Sequence, residues 1–131
     1  MIFIDSNVPM YLVGAEHPHK RSAGASIARS IRDGELLVTD AEVLQGILHR
    51  YVSIGRHDAI GPAMEAVLSI VDQVFPMEQA DVERAVDIIH GTRLSARDAI
   101  HVAVMRRRGI DRIMTFDRGF DHIEGITRIA S

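Results

Sequence analysis

Ile2-Phe3-Ile4, Leu36-Leu37-Val38, Val74-Phe75-Pro76, Ile113-Met114-Thr115 and Ile126 to Ile129 are short apolar runs, and between them lie longer stretches whose apolar residues recur at helical spacing. A run of this length reads as a strand buried on both faces. Parallel strands cannot be joined by tight turns and need a crossover, which a helix supplies. The alternation therefore predicts an α/β fold, a parallel sheet with helices on both faces. At 131 residues, with no repeat or Pro/Ser-rich linker, the chain has the length of a single domain over 1–131.

The helical stretches carry start and stop signals. Pro9 suits the first turn of a short helix after Asp5-Ser6-Asn7. Ala23, Ile27, Ala28 and Ile31 form a stripe closed by Asp33-Gly34. Thr39-Asp40-Ala41-Glu42 precedes Val43, Leu44, Ile47, Leu48 and Tyr51, and Gly55 ends that helix. Gly61-Pro62 opens a helix bearing Met64, Val67, Leu68, Ile70 and Val71, and the next is marked by Val82, Ala85, Val86 and Ile89. Ser95-Ala96-Arg97-Asp98 opens the last, with Ala99, Ile100, Ala103 and Val104 inward and Arg106 to Arg108 complementing its C-terminus.

Composition removes several classes of function. Without cysteine there is no disulfide, thiolate catalyst or Cys-ligated metal. A net charge of -3 argues against bulk coating of nucleic acid, and 5% aromatic residues with no Trp argue against stacking platforms for bases. No run of about 18 apolar residues offers a membrane span, and the first residues lack the pattern of an export signal, so a cytoplasmic protein is expected. The histidines at 17, 19, 49, 57, 90, 101 and 122 form no H-E-x-x-H arrangement, which disfavours a metalloprotease.

In an open parallel sheet ligands collect beyond the carboxyl ends of the strands. Asp5 follows the first strand, Glu42 opens the helix after the second, Asp98 opens the last helix and Asp117 follows the strand ending at Thr115. Singly, each has a structural explanation: Glu42 with Thr39 and Asp98 with Ser95 fit capping boxes, while Asp5 and Asp117 fit turns. Together they are a problem of charge. Two carboxylates about 5 Å apart repel by roughly 3 kcal/mol at an effective dielectric of about 20, so either a carboxyl keeps its proton or a cation joins them. Oxygen ligands suit Mg²⁺ or Mn²⁺ better than zinc, and such an ion can activate water against a phosphodiester.

Ile2-Phe3-Ile4-Asp5-Ser6-Asn7, Thr39-x-x-Glu42-Val43-Leu44, Ala96-Arg97-Asp98-Ala99-Ile100-His101-Val102-Ala103 and Met114-Thr115-Phe116-Asp117-Arg118-Gly119-Phe120 resemble, in order and over essentially the whole chain, a PIN-domain ribonuclease. More narrowly, the chain is similar to the VapC toxins of bacterial and archaeal toxin–antitoxin pairs. The resemblance implies a three-layer PIN-like fold on a five-stranded parallel sheet and Mg²⁺- or Mn²⁺-dependent endonucleolytic cleavage of RNA. It implies catalytic and metal roles for Asp5, Glu42, Asp98 and Asp117, the three aspartates as direct ligands and Glu42 through water or as orienter of the nucleophile. It also implies a cognate antitoxin and a homodimer, to which the Met64 to Val71 helix could contribute. Relatives often carry another acidic or polar residue two positions after the fourth acid; here that position is Gly119, with Asp121 further on, which speaks against a second metal.

Six further residues support the site. Ser6, Asn7 and Thr115 could orient carboxylates or waters. His101 falls one helical turn after Asp98, and Arg97 and Arg118 neighbour two of the acids and could meet phosphate. Two other functions compete: a catalytically silent PIN-like binding module whose acids are only caps, and an Asp-dependent phosphatase. The second is weakened because Lys20, the sole lysine, lies early in the chain and Asn7 stands where a second Asp is expected.

Overall fold

The computed structural model describes residues 1–129; Ala130 and Ser131, the end of the expected domain, lie outside them. Five parallel strands form one sheet: β1 (Ile2–Ile4), β2 (Leu37–Asp40), β3 (Gln73–Phe75), β4 (Arg112–Met114) and β5 (Thr127–Arg128). Their order is β3-β2-β1-β4-β5. The chain steps outward from β1 to β3, then crosses back to lay β4 on the other flank of β1, pairing Ile4 with Met114. The connection direction thus reverses between β1 and β4, which opens a crevice beyond their carboxyl ends.

Six α-helices cover the sheet: α1 (Asn7–Val13), α2 (Pro18–Arg32), α3 (Ala41–Ser53), α4 (Ile60–Ile70), α5 (Gln79–Gly91) and α6 (Ala96–Arg107). Alternation along the strands splits the core in two. Phe3, Val38 and Ile113 pack with Val43, Ile47, Val102 and Met105 of α3 and α6 on one face. Ile2, Ile4, Leu37 and Met114 pack with Val8, Ala23 and Ile27 of α1 and α2 on the other. This is the three-layer architecture expected from the alternation of runs and stripes.

Several local readings shift. β2 begins at Leu37, leaving Leu36 exposed, and runs on through Asp40. α2 starts at Pro18, capped by the His17 ring, and buries Ala23, Ser26, Ile27 and Ser30, whereas Ile31 faces solvent. The two small serines let this helix lie close to its neighbours, and Ser30 satisfies its hydroxyl on Ser26 O at 2.9 Å. α5 is rotated from the face expected: of its expected stripe only Ala85 is buried, Val82, Val86 and Ile89 are exposed, and Asp81 turns inward. The Arg107 guanidinium explains the rotation, donating to both oxygens of Asp81 at 2.8 Å. A bidentate pair to a buried carboxylate outweighs a hydrophobic stripe, because turning α5 by one position would strand that charge. Nor do the arginines ending α6 merely complement its dipole. Arg107 anchors α5, Arg106 donates to Glu124 O at 3.0 Å, and Arg108 lies 4.6 Å over the Phe75 ring.

Candidate metal centre

Asp5 leaves β1 at the reversal point and is 4% exposed, so its carboxylate must be satisfied by protein or by a ligand. Ser6 N donates to Oδ1 at 2.7 Å, and the Thr115 hydroxyl donates to Oδ2 at 2.8 Å. Thr115 follows β4, the strand beside β1, which is why two residues 110 apart in sequence can meet. Its oxygen in turn accepts from Asn7 Nδ2 at 2.9 Å and from Asp117 N at 3.1 Å. Asn7 Oδ1 accepts from Phe116 N at 3.3 Å, closing a net that fixes the ends of both strands. Ser6, Asn7 and Thr115 therefore hold Asp5 and the turn carrying Asp117.

α6 brings two more groups to the crevice. Asp98 sits in its first turn, where Ser95 Oγ accepts from Asp98 N at 3.2 Å and the helix dipole favours an anion. Burial nevertheless raises its pKa to about 6, the charges of Asp5 and Asp117 adding to the rise while His101 and the Ser95 bond oppose it. One turn on, His101 is fully buried. Its Nδ1 is 2.8 Å from Asp40 Oδ2, and its Nε2, which has no hydrogen-bond partner, is 3.8 Å from Asp5 Oδ1. Burial works against a charged imidazole here, but the Asp40 bond and the negative charges of Asp40, Asp5 and Asp98 prevail and raise its pKa. The Phe3 ring, 5.3 Å away, supports the imidazole from beneath.

One oxygen each of Asp5 and Asp98 and one ring nitrogen of His101 lie within 4.8 Å of one another. Two carboxylates and an orphaned buried nitrogen facing a crevice fit a divalent cation, which would cancel the repulsion felt by Asp98. Neither of the two other expected acids is part of this cluster. Asp117 is exposed, accepts from Gly119 N at 2.8 Å and is close enough for its charge to act on Asp98. Glu42, half-buried on α3, is held at 3.3 Å by Arg97 Nε, which precedes Asp98 in the chain. Arg97 also donates to Gln45 at 3.1 Å and crosses Gly46, where a Cβ would meet its Cδ at 3.2 Å. Its guanidinium is thus engaged with α3 rather than poised as an independent phosphate ligand. Arg118 lies on an exposed 3₁₀ turn, Arg118–His122, whose Asp121 is paired with Arg128 at 2.8 Å.

The expected capping box at Thr39 does not form. The Thr39 hydroxyl donates to Ile4 O at 2.7 Å, and Asp40 caps α3 instead, Oδ1 accepting from Val43 N at 2.8 Å. Asp40 is the residue of the candidate site that sequence reasoning missed. An Asp at the junction of strand and helix is a cap signal, but its second oxygen faces His101, 61 residues away, and no local pattern reveals that. The low aromatic content likewise hid a ring cluster beside the site. His19 stacks on Phe116 at 4.1 Å, and Tyr11 packs edge-on against both.

A PIN-domain family model matches residues 2–126. The chain is 56% identical to Ribonuclease VapC13 of Mycobacterium tuberculosis over 131 residues, covering 99% of this chain and 100% of that protein. Among solved structures it is similar to M. tuberculosis VapC20, described as a sarcin-ricin loop cleaving toxin, with a TM-score of 0.79, 23% identity and all of both chains covered. A toxin–antitoxin complex from Klebsiella pneumoniae matches with a TM-score of 0.69 and 15% identity over 97% of this chain and 96% of that one.

Proposed function

Because the chain belongs to the VapC family of PIN-domain ribonucleases, we propose that it is the endoribonuclease toxin of a toxin–antitoxin pair and cuts RNA at the crevice between β1 and β4. The observation that carries this reading is the convergence of Asp5 and Asp98 with His101 at the sheet's reversal point. Asp5, Asp98 and Asp117 are the residues that would hold Mg²⁺ or Mn²⁺. When bound, such an ion would neutralise phosphate charge and lower the pKa of an attacking water.

The chain's own residues supply the positioning. Thr115 and Ser6 fix both oxygens of Asp5, Asn7 ties the two strand ends together, and Arg97 aims Glu42 toward the α6 terminus as orienter of the nucleophile. Preorganisation of this kind contributes because no side chain must be reordered at the moment of reaction. RNA is the substrate on this reading, and an antitoxin the partner that restrains it. A second copy could pack through α4, whose Leu68 is exposed and whose Met64 is half-buried. Among the described residues no helix is long and apolar enough to cross a membrane, which agrees with action in the cytoplasm.

Asp98→Asn tests the reading, since it removes a ligand charge yet keeps the shape of the crevice. The variant should bind RNA as the parent does and cut it at least about a hundredfold more slowly, the scale on which losing an electrostatic partner of the reaction acts. Undiminished cleavage by it in Mg²⁺ would refute the assignment.

A further inference from the structure

His101 does more than fill the core. From its position we infer that its Nε2 is a direct metal ligand, making the centre a mixed oxygen–nitrogen cage that prefers Mn²⁺ to Mg²⁺, with Asp40 setting the tautomer. The inference rests on the metal-dependent reading above but concerns a residue outside the acidic set.

Three observations carry it. The imidazole is fully buried, and its Nε2 has no hydrogen-bond partner, a costly arrangement unless something else meets that atom. Nε2 lies 3.8 Å from Asp5 Oδ1, and a ring nitrogen of His101 clusters with one oxygen each of Asp5 and Asp98, so this edge of the ring meets the acidic group. Asp40 Oδ2 is 2.8 Å from Nδ1, and a carboxylate there can only accept. In the neutral ring the proton therefore stays on Nδ1, and the lone pair of Nε2 points at the cage, the arrangement of carboxylate–histidine–metal sites. A neutral imidazole suits first-row transition ions far better than Mg²⁺, which demands oxygen ligands.

Asp40→Asn separates this role from a structural one. Asn caps a helix as well as Asp does, and the Val43 amide holds the side-chain oxygen at the cap, which turns the new NH₂ toward Nδ1. That group can only donate, so Nδ1 becomes the acceptor and the ring proton moves to Nε2, blocking the ligand atom while α3 keeps its cap. Pulsed electron paramagnetic resonance on Mn²⁺-loaded protein reads the bond directly.

The parent should show a directly bonded nitrogen coupling that changes isotope when histidine alone is labelled with ¹⁵N. In Asp40→Asn the coupling should vanish and Mn²⁺ affinity fall by about 10–100-fold, as for other outer partners of metal-bound His, with Mg²⁺ affinity changing much less by calorimetry. Bound Mn²⁺ without a histidine coupling in the parent would overturn the inference, leaving the acidic cage and the nuclease reading intact. Failure of the parent to bind Mn²⁺ would overturn both. Should Asp40→Asn not fold, as judged by circular dichroism, the parent spectrum alone decides.

Discussion

Thr115 shows how much can depend on one hydroxyl. Its hydrogen goes to Asp5, and its oxygen accepts from Asn7 and from the Asp117 amide. Thr115→Val keeps the volume and removes all three bonds, leaving the buried Asp5 oxygen and two partly buried donors unmet. Chemical denaturation should show a loss of about 1–3 kcal/mol, with Thr115→Ser close to the parent. Asp81 gives a pH signature at the same scale. Hydrogen bonds from Arg107 hold its pKa below the usual 3.8 against the opposing effect of burial, with the Glu78 amide assisting. An unfolded Asp81 takes its proton near 3.8 and the folded one only at lower pH, so the pair's contribution is complete above 3.8 and drains away as pH falls toward the folded value. Acid-unfolding curves of Asp81→Asn should therefore be flatter than the parent's below that pH. If the two curves have the same slope, the pair does not couple folding to protons.

At the level of elements, Gly46 lets α3 and α6 share the Arg97 side chain. Gly46→Ala should gain up to about 1 kcal/mol of helix propensity while its new methyl lifts the half-exposed Arg97 off Glu42. Thermal melting should move little or upward, and a double-mutant cycle should show the Arg97–Glu42 coupling, at most about 1 kcal/mol in the parent, falling toward zero. A sharp drop in melting temperature would mean that Arg97 cannot yield.

The same elements show what a sequence discloses. The strands and the acids beyond them were legible, because a short apolar run and the polar residue ending it are adjacent in the chain. The faces of α2 and α5 were legible only in part, through Ala23, Ile27 and Ala85. Helix rotation there is decided by Ser26 and Ser30 packing closely and by Arg107 reaching Asp81, 26 residues away. The Asp40–His101 contact was hidden for the same reason: each residue looks locally complete, one as a cap and the other as a helical His.

For the molecule as a whole, the crossover from β3 to β4 creates the centre, because it sets the carboxyl end of β4 beside that of β1. The folded chain alone has this cage, so an ion that occupies it must stabilise the fold. At a hundredfold excess over the dissociation constant the gain is about 2.7 kcal/mol, a rise of several degrees in melting temperature. Asp98→Asn should abolish most of that rise, and in the absence of metal should melt no lower than the parent, since it relieves the crowding of charge with Asp5 and Asp117. An equal metal-induced shift in parent and variant would place the ion elsewhere. The strand order also bears on synthesis. Asp5 is made more than a hundred residues before its hydrogen-bond partner Thr115, so on the proposed reading a chain broken off ahead of β4 lacks the hydroxyl that holds this carboxylate in place.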